Sequence, residues 1–382
     1  MTGIRRLLAL VTVAMVAETA AYSAITPLLP HLAAEHHLSK GAAGLLAAAY
    51  PFGTLLLALP AAWVSARVGA KPTVMGALLL LGGGSLAFGL VSATSLLIAA
   101  RFLQGAGAAA VWAGGLAWIV AVAPRERRVE AIGTAIGAAI AGALGGPAIG
   151  AAADQLGMGV VFAAFFALPV GLAIAIARLP GPAPVPGPGL AALRVALAEP
   201  LMRQGMWLML LPAIAFGLFN VLVPLRLDAL GAGAVAIGAV FLVAVVFESA
   251  VSPLVGRIAD RRGAIWPARI GLAGGALGLG LLPLPANTVL VALALVVSAG
   301  LMGMLWTPAM ALVSEGAEVR GIDPAFGFGL GNLAWGAGAA FGGSGGGALA
   351  QAVGDAVPYI ALALLAVITA AKLPRGTRGA VA

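Results

Sequence analysis

The sequence predicts an all-α membrane protein of twelve transmembrane helices in two six-helix, pseudo-repeated bundles. Three observations carry this expectation. The chain is 62% hydrophobic and only 9% charged over 382 residues, whereas soluble domains carry about 25% charged residues. Its mean hydropathy is +1.09. Apolar segments of about 20 residues, enough to cross the hydrocarbon core, recur roughly twelve times between charged or Pro/Gly breaks. A Pro/Gly-rich stretch from Arg178 to Gly189 interrupts them midway; alternating proline makes an extended, semi-rigid spacer.

The expected spans run near 7–29, 41–63, 73–92, 95–121, 131–152, 159–178, 205–226, 234–256, 267–284, 288–313, 325–348 and 358–372. The first follows Arg5 and Arg6 and reaches about Leu29. That is too long for a signal-peptide core and has no clear cleavage site, so it reads as a span. The expected organisation is a bundle over 1–178, a cytoplasmic linker over 179–204 with a short surface helix near Leu193–Glu199, and a second bundle over 205–382.

Basic residues set the orientation. With the N-terminus inside, every one of the 21 Lys and Arg except Lys40, Arg101 and Arg226 falls on the cytoplasmic side, among them Arg125, Arg127, Arg128, Arg375 and Arg378. This asymmetry accounts for the net charge of +8 through contact with anionic lipid and cytosol, without nucleic acid. The expected location is the bacterial inner membrane, multi-pass, with both termini cytoplasmic. There is no cysteine, hence no disulfide or thiol chemistry. No phosphate-binding G-x-x-x-x-G-K-[ST] loop is present, which argues against direct ATP drive. His31, His36 and His37 cluster near an outer loop, where a solvated loop outweighs a metal site. No metal or cofactor is expected.

Charges inside a membrane are costly and mark function by default. Among the acidic residues, only Glu18 and Glu248 lie well inside spans. Burial disfavours the charged form of a carboxyl, so Glu18 is read as a site that takes up and releases a proton, against the plainer reading of a protonated group bonding between helices. Tyr22 shares its helix face. Glu248 is read evenly as a second proton site, a substrate-cation contact or a gating hydrogen bond. Arg101 lies within span four, at a height differing from Glu18 by roughly 6–9 Å at about 1.5 Å per residue. It tunes Glu18, directly or through water, or donates to span-one carbonyls and fixes packing, and the two roles are compatible. Tyr22, Tyr50, Gln104, Trp112, Asn220, Trp306, Asn332 and Trp335 are the expected lining of a substrate cavity, since aromatic rings with few polar groups suit amphipathic, often cationic, ligands.

Repeats and motifs complete the reading. Ala62-Trp-Val-Ser-Ala66-Arg67-Val-Gly69-Ala-Lys71 ends span two, and Gly256-Arg-Ile-Ala-Asp260-Arg261-Arg-Gly263 ends span eight. Pro27 in span one has a counterpart in Pro224 of span seven. Arg101-Phe-Leu-Gln104-Gly105-Ala-Gly107 opens span four, and Gly142-Ala-Leu-Gly145-Gly146-Pro147-Ala-Ile-Gly150 lies in span five, with Gly133 and Gly137 upstream. Glycines at four-residue spacing line one helix face and admit a second backbone closely; Pro147 removes a donor and bends the helix. Glu18 precedes Pro27-Leu-Leu-Pro30 in span one.

On these stretches the chain resembles the major facilitator superfamily over essentially its full length, and more narrowly its twelve-span drug:proton antiporter group. Gly256 to Gly263 matches that family's cytoplasmic G-x-x-x-D-R-x-G loop, Arg101 to Gly107 its R-x-x-Q-G-x-G motif, and Gly142 to Gly150 its antiporter motif. The resemblance implies alternating access about a midplane site between the two halves, with export of a small amphipathic compound, drug-like or a metabolite, in exchange for protons. It implies a moving seam at Gly142, Gly146, Pro147 and Gly150. It also implies a cytoplasmic gate at Arg67, Gly69, Gly256, Asp260, Arg261 and Gly263; Glu315, just beyond span ten, is by position the expected partner of Arg261. The first-half loop departs from the pattern: Ala66 holds the aspartate position and Ala62 the leading glycine. The expected partners are a small-molecule substrate, protons and the bilayer, with the chain acting as a monomer. The rival readings are a proton symporter or uptake carrier on the same fold, and a transporter-like sensor without transport. A membrane enzyme is disfavoured, since the spans hold no histidine and no paired carboxylates at helical spacing.

Overall fold

A computed structural model describes residues 2–123, 128–183, 190–321 and 324–373. The side chains of Arg125, Arg127, Arg128 and Asp260, and residues Arg375 and Arg378, lie outside the described set. Among the described residues the secondary structure is helical throughout. The first half of the chain forms α1 (Thr2–Ser23), α2 (Ile25–Glu35), α3 (Lys40–Val68), α4 (Ala70–Leu90), α5 (Thr94–Val122), α6 (Arg128–Leu156) and α7 (Met158–Ala177). The second forms α8 (Leu190–Ala198), α9 (Pro200–Ala229), α10 (Ala234–Arg262), α11 (Ile265–Leu281), α12 (Thr288–Gly303), α13 (Trp306–Val319), α14 (Pro324–Val353) and α15 (Ala356–Lys372).

Nine helical stretches among the described residues are long and apolar enough to cross a bilayer. With the shorter apolar α11 and α15 and the glycine-rich α14, they account for the twelve expected spans. Two spans carry breaks that the apolar pattern alone does not reveal. The first divides at Ala24 into α1 and α2, and the tenth divides at Met304 and Leu305 into α12 and α13. Each break precedes a proline. Pro27 has no N–H for the carbonyl of Ser23, and Pro308 has none for that of Met304.

Packing groups the chain into two units, residues 1–31 with 49–189 and residues 32–48 with 190–382. The second unit thus takes in residues 32–48, the end of α2, the loop and the start of α3. There Lys40 pairs with Asp355 at 2.5 Å, and the Gly41 N–H donates to Gln351 Oε1 at 3.0 Å.

Each unit repeats the same internal pairs. In the first, α1 packs on α6, α4 on α5 and α4 on α7; in the second, α9 packs on α14, α11 on α12 and α11 on α15. The α1–α6 seam is a backbone contact. A Cβ on Gly142 would lie 2.9 Å from the Val16 Cα, and one on Gly146 would lie 2.6 Å from the Ala20 oxygen. One on Gly150 would strike the Ala24 carbonyl. Glycines four apart therefore meet residues four apart on α1. Gly133 and Gly137, upstream, have nothing within 4 Å; nine and five residues before Gly142, they fall on a different face of α6 at about 3.6 residues per turn, and both are exposed. The second unit has a matching seam, with a Cβ on Gly338 2.6 Å from the Leu210 oxygen and one on Gly342 2.9 Å from the Ile214 Cα.

Helix ends repeat too. Gly69, before α4, and Gly263, after α10, have φ of 100° and 82°, a region other residues rarely adopt. Each stands two residues after an arginine, Arg67 and Arg261. Lys71 on α4 donates to the carbonyls of Ala177 and Leu179 at the end of α7 (2.8 and 2.6 Å). Arg269 on α11 likewise donates to the Leu373 carbonyl after α15 at 2.9 Å. Cations at helix C-termini are favoured by the helix dipole.

Candidate functional site

The strongest candidate lies in the first unit, around Glu18 on α1. The side chain is 4% exposed, and donors meet both carboxyl oxygens. The Tyr50 hydroxyl, from α3, donates to Oε1 at 2.7 Å, and the Trp112 indole N–H, from α5, donates to Oε2 at 2.9 Å. Thr19 Oγ1 lies 3.2 Å from Oε2, with its shorter contact, 2.7 Å, to the Met15 carbonyl. Tyr22 packs against Tyr50 with ring centres 5.2 Å apart and planes tilted by 53°.

Tyr50 also lies 3.1 Å from the main-chain carbonyl of Glu18 itself. A hydroxyl has one proton and two acceptor sites. With Glu18 ionised, Tyr50 donates to Oε1. With Glu18 protonated on Oε1, the carboxyl donates to the Tyr50 oxygen, and the Tyr50 O–H turns to the main-chain carbonyl. Both protonation states are satisfied without moving a heavy atom. Small residues set this geometry. A Cβ on Gly105 would lie 2.8 Å from the Tyr50 carbonyl carbon, so the span-four motif glycine is what lets α5 hold α3 there. Thr54 Oγ1 donates to the Gly105 carbonyl at 3.2 Å.

Arg101 makes the carbonyl contacts that one of its two expected roles requires. It is 1% exposed, and its guanidinium donates to the carbonyls of Ala21 (3.0 Å) and Tyr22 (3.1 Å) and to Gln104 Oε1 (2.8 Å). It also sits 4.7 Å from the centre of the Tyr50 ring. These carbonyls belong to the turn before the α1–α2 break, so the charge holds the break and only indirectly Glu18. Gln104, expected along a substrate cavity, is instead fully buried: its amide accepts from Arg101 and donates to Ser85 Oγ at 3.0 Å. A planar fork is needed to meet carbonyls on adjacent residues. Arg101→Lys is therefore expected to lower the melting temperature in detergent and to speed amide exchange over residues 22–26. Hydrogen bonds from charged groups are worth about 1.5–3 kcal/mol each, and lysine reaches fewer of the three acceptors.

The second unit holds Glu248 on α10. Its Oε1 accepts from the Trp306 indole at 2.7 Å. Trp306 begins α13, and Phe216 of α9 packs edge-on against it with ring centres 6.4 Å apart. Trp112 and Trp306 stand at the same distance from the first residues of α5 and α12, Thr94 and Thr288. The two carboxylates do not correspond in this way, since Glu18 lies on the first span and Glu248 on the eighth. Asn220 lines a cavity beside Glu248 and donates to the Phe216 carbonyl at 2.8 Å. Asn332 and Trp335 are half-buried on α14 and line no part of it. Thr19, Thr54, Ser85 and Phe216 were not foreseen; small polar residues inside apolar spans were the available signal for the first three.

At the expected gate, Arg67 is exposed and lies 3.9 Å from the Trp63 ring centre, and Arg262 lies 4.7 Å from that of Trp266. Arg261 and Glu315 are both exposed, and among the described residues no ion pair joins them. The ion pair near the end of α13 is instead Arg320 with Glu199, at 2.6 Å, because Glu199 directly precedes α9 and the α8–α9 turn packs against α13. A Cβ on Gly256 would meet nothing within 4 Å.

The repeated helical fold, with an embedded carboxylate in each unit, is that of a multi-pass membrane transporter. Residues 11–343 match the Major Facilitator Superfamily, and the chain belongs to that superfamily. No curated protein sequence matches it significantly. Among solved structures it is similar to a D-xylose–proton symporter, with a TM-score of 0.76 at 17% identity over 97% of this chain and 98% of that one. It is also similar to a bacterial homolog of the human lysosomal transporter Spinster in an inward-facing, occupied conformation, with a TM-score of 0.76 at 15% identity over 97% and 96%. The xylose transporter XylE from E. coli, in a partially occluded inward-open conformation, gives a TM-score of 0.74 at 15% identity over 99% and 100%.

Proposed function

We propose that this chain is a proton-coupled secondary transporter that exports a small amphipathic compound, drug-like or a metabolite, from the bacterial cytoplasm by alternating access. Glu18 carries the proton. The observation behind this reading is the Glu18–Tyr50 contact, in which one hydroxyl serves both protonation states of a buried carboxyl. A group that must load and unload a proton in each cycle needs both forms to be tolerated. Export is favoured by the Gly142–Gly150 seam, which packs span five directly on the helix that bears Glu18. The excess of Arg and Lys on one set of loops favours cytoplasmic termini.

Uptake by proton symport is the second reading, since a structurally similar protein is a D-xylose–proton symporter. Everted inner-membrane vesicles separate the two. With a pH gradient established and reported by a quenched dye, adding an exported compound is expected to restore fluorescence in vesicles containing the chain and not in vesicles lacking it. No response across a broad panel of amphipathic compounds, with uptake of one of them into right-side-out vesicles, would establish symport instead.

A further inference from the structure

Span ten changes partners at its break. Its first part, α12, packs mainly on α10 and α11, and its second part, α13, mainly on α9 and α14. Both sets of contacts are close. A Cβ on Gly271 of α11 would lie 3.0 Å from the Leu301 oxygen, and one on Gly278 would lie 3.2 Å from the Ser298 Cα. On the other side, a Cβ on Gly205 of α9 would lie 2.7 Å from the Ala309 oxygen, and one on Gly316 of α13 would lie 2.8 Å from the Met202 nitrogen. Ala196, Met202, Val313, Ala317 and Leu330 form one apolar cluster that joins α8, α9, α13 and α14. Arg320, after α13, pairs with Glu199, before α9. Two packed groups therefore meet where the helix is interrupted, at Met304 and Leu305, with a smaller contact between α9 and α12 across the boundary.

The backbone ladder is thinned at this boundary. Leu305 donates its N–H to the Met302 carbonyl at 3.1 Å, three residues back instead of four, and Pro308 brings no N–H to the Met304 carbonyl. Glu248 on α10 reaches both sides of the interruption. It lies against Gly303, the last residue of α12, where a Cβ would be 2.6 Å from the carboxyl carbon. Its Oε1 accepts from the indole of Trp306, the first residue of α13, at 2.7 Å. A helix of the α12 group thus holds the start of α13 by a polar bond, at a depth where little water competes for it. We infer that Met304 and Leu305 form a hinge within the second unit and that Glu248 is its clasp. Glu248 is a positioning residue whose bond to Trp306 breaks when α13 swings with α9 and α14 away from α10. This rests on the transporter reading and adds to it a moving joint inside one unit. Of the roles expected for Glu248 it selects the gating hydrogen bond, and it leaves the proton to Glu18.

The native chain has no cysteine, so paired spin labels report the joint directly. Leu254→Cys on α10 with Val319→Cys on α13 spans the two groups, and Val195→Cys on α8 with Val319→Cys lies within one; all three positions are exposed. Distances are measured by pulsed dipolar spectroscopy on the full chain in lipid nanodiscs, without substrate or gradient. Trp306→Phe removes the indole donor and keeps an aromatic ring. It is expected to shift the first pair toward a longer distance and to leave the second pair unchanged, whereas a bond that only stabilised the fold would loosen both. Gly303→Ala pushes the carboxyl off the break without deleting a polar group. It is expected to act like Trp306→Phe, and it carries the test if that variant does not fold. Glu248→Gln keeps an acceptor oxygen for the indole and is expected to give native distances. Amide exchange over residues 304–309 is expected to rise about tenfold in the first two variants, the factor that about 1.4 kcal/mol represents, and not in the third. Native distances in both Trp306→Phe and Gly303→Ala, equal loosening of the two label pairs, or opening in Glu248→Gln as large as in Trp306→Phe overturns the proposal. Because no transport is measured, that failure would leave the proton-coupling reading standing, and a failure of pH-driven flux would leave the hinge result standing.

Discussion

Glu18→Gln is expected to abolish pH-driven transport while leaving the protein folded and able to exchange substrate for substrate. The expectation follows from hydrogen-bond inventory. A glutamine side chain offers one acceptor oxygen and one donor NH₂. Its oxygen can accept from the Trp112 indole, as Glu18 Oε2 does at 2.9 Å. Its NH₂ can donate to the Tyr50 oxygen, which then turns its proton to the main-chain carbonyl 3.1 Å away. The amide thus pairs the indole and the Tyr50 hydroxyl as the protonated carboxyl would, with one additional N–H, so the loss of stability is expected not to exceed about 1–3 kcal/mol, the cost of one unpaired buried donor. Glu18→Ala would strand the buried indole N–H at a cost of about 1–3 kcal/mol, confusing folding with function. The measurements are dye recovery in everted vesicles, counterflow in proteoliposomes and melting in detergent. Native-like dye recovery in the glutamine variant would remove Glu18 from the proton path.

How far such a site can be read from sequence depends on what each residue type permits. The apolar runs define the spans because a helix must present about 20 apolar residues to lipid, and no other arrangement of those residues is affordable in a bilayer. Glu18 and Glu248 stand out for the same reason. Their partners do not. Tyr50 and Trp112 looked like cavity lining because an aromatic ring in a span has several plausible neighbours; only the depth of α3 and α5 against α1 turns them toward one carboxyl. Arg101 has a side chain long enough to reach either the carboxyl or the backbone of span one. The choice depends on the α1–α2 break, where the last carbonyls before Ala24 lie within its reach. A proline such as Pro27 signals a missing donor without saying whether the helix bends or divides. The second glycine seam, at Gly338 and Gly342, repeats the spacing of the first and was legible, but in a chain with 55 glycines spacing alone does not distinguish a seam from its surroundings, as Gly133 and Gly137 demonstrate.

That contrast yields the second large effect. Gly142→Val with Gly146→Val is expected to destabilise the first unit by several kcal/mol and to eliminate transport, whereas Gly133→Val with Gly137→Val is expected to change either little. At Gly142 and Gly146 the atoms a new Cβ would meet include backbone of α1, the Val16 Cα at 2.9 Å and the Ala20 oxygen at 2.6 Å. Backbone cannot swing away as a side-chain tip can, so α6 and α1 must separate along their length. Overpacking a close contact costs about 1–3 kcal/mol per site. Two sites one turn apart strain the same helix pair, so their costs are coupled rather than independent. Separation also frees the Ser23 hydroxyl, which donates to the Ala143 carbonyl across the seam at 3.1 Å at the edge of the α1–α2 break. The helix that would shift is the one bearing Glu18, so the variant is expected to lose proton coupling even at temperatures where it stays folded. Melting of both double variants in detergent, with dye recovery in vesicles, tests this directly. Equal behaviour of the two pairs would mean that α6 does not rest on α1 through these glycines, and the structural link between the Gly142–Gly150 stretch and the proposed proton site would be lost.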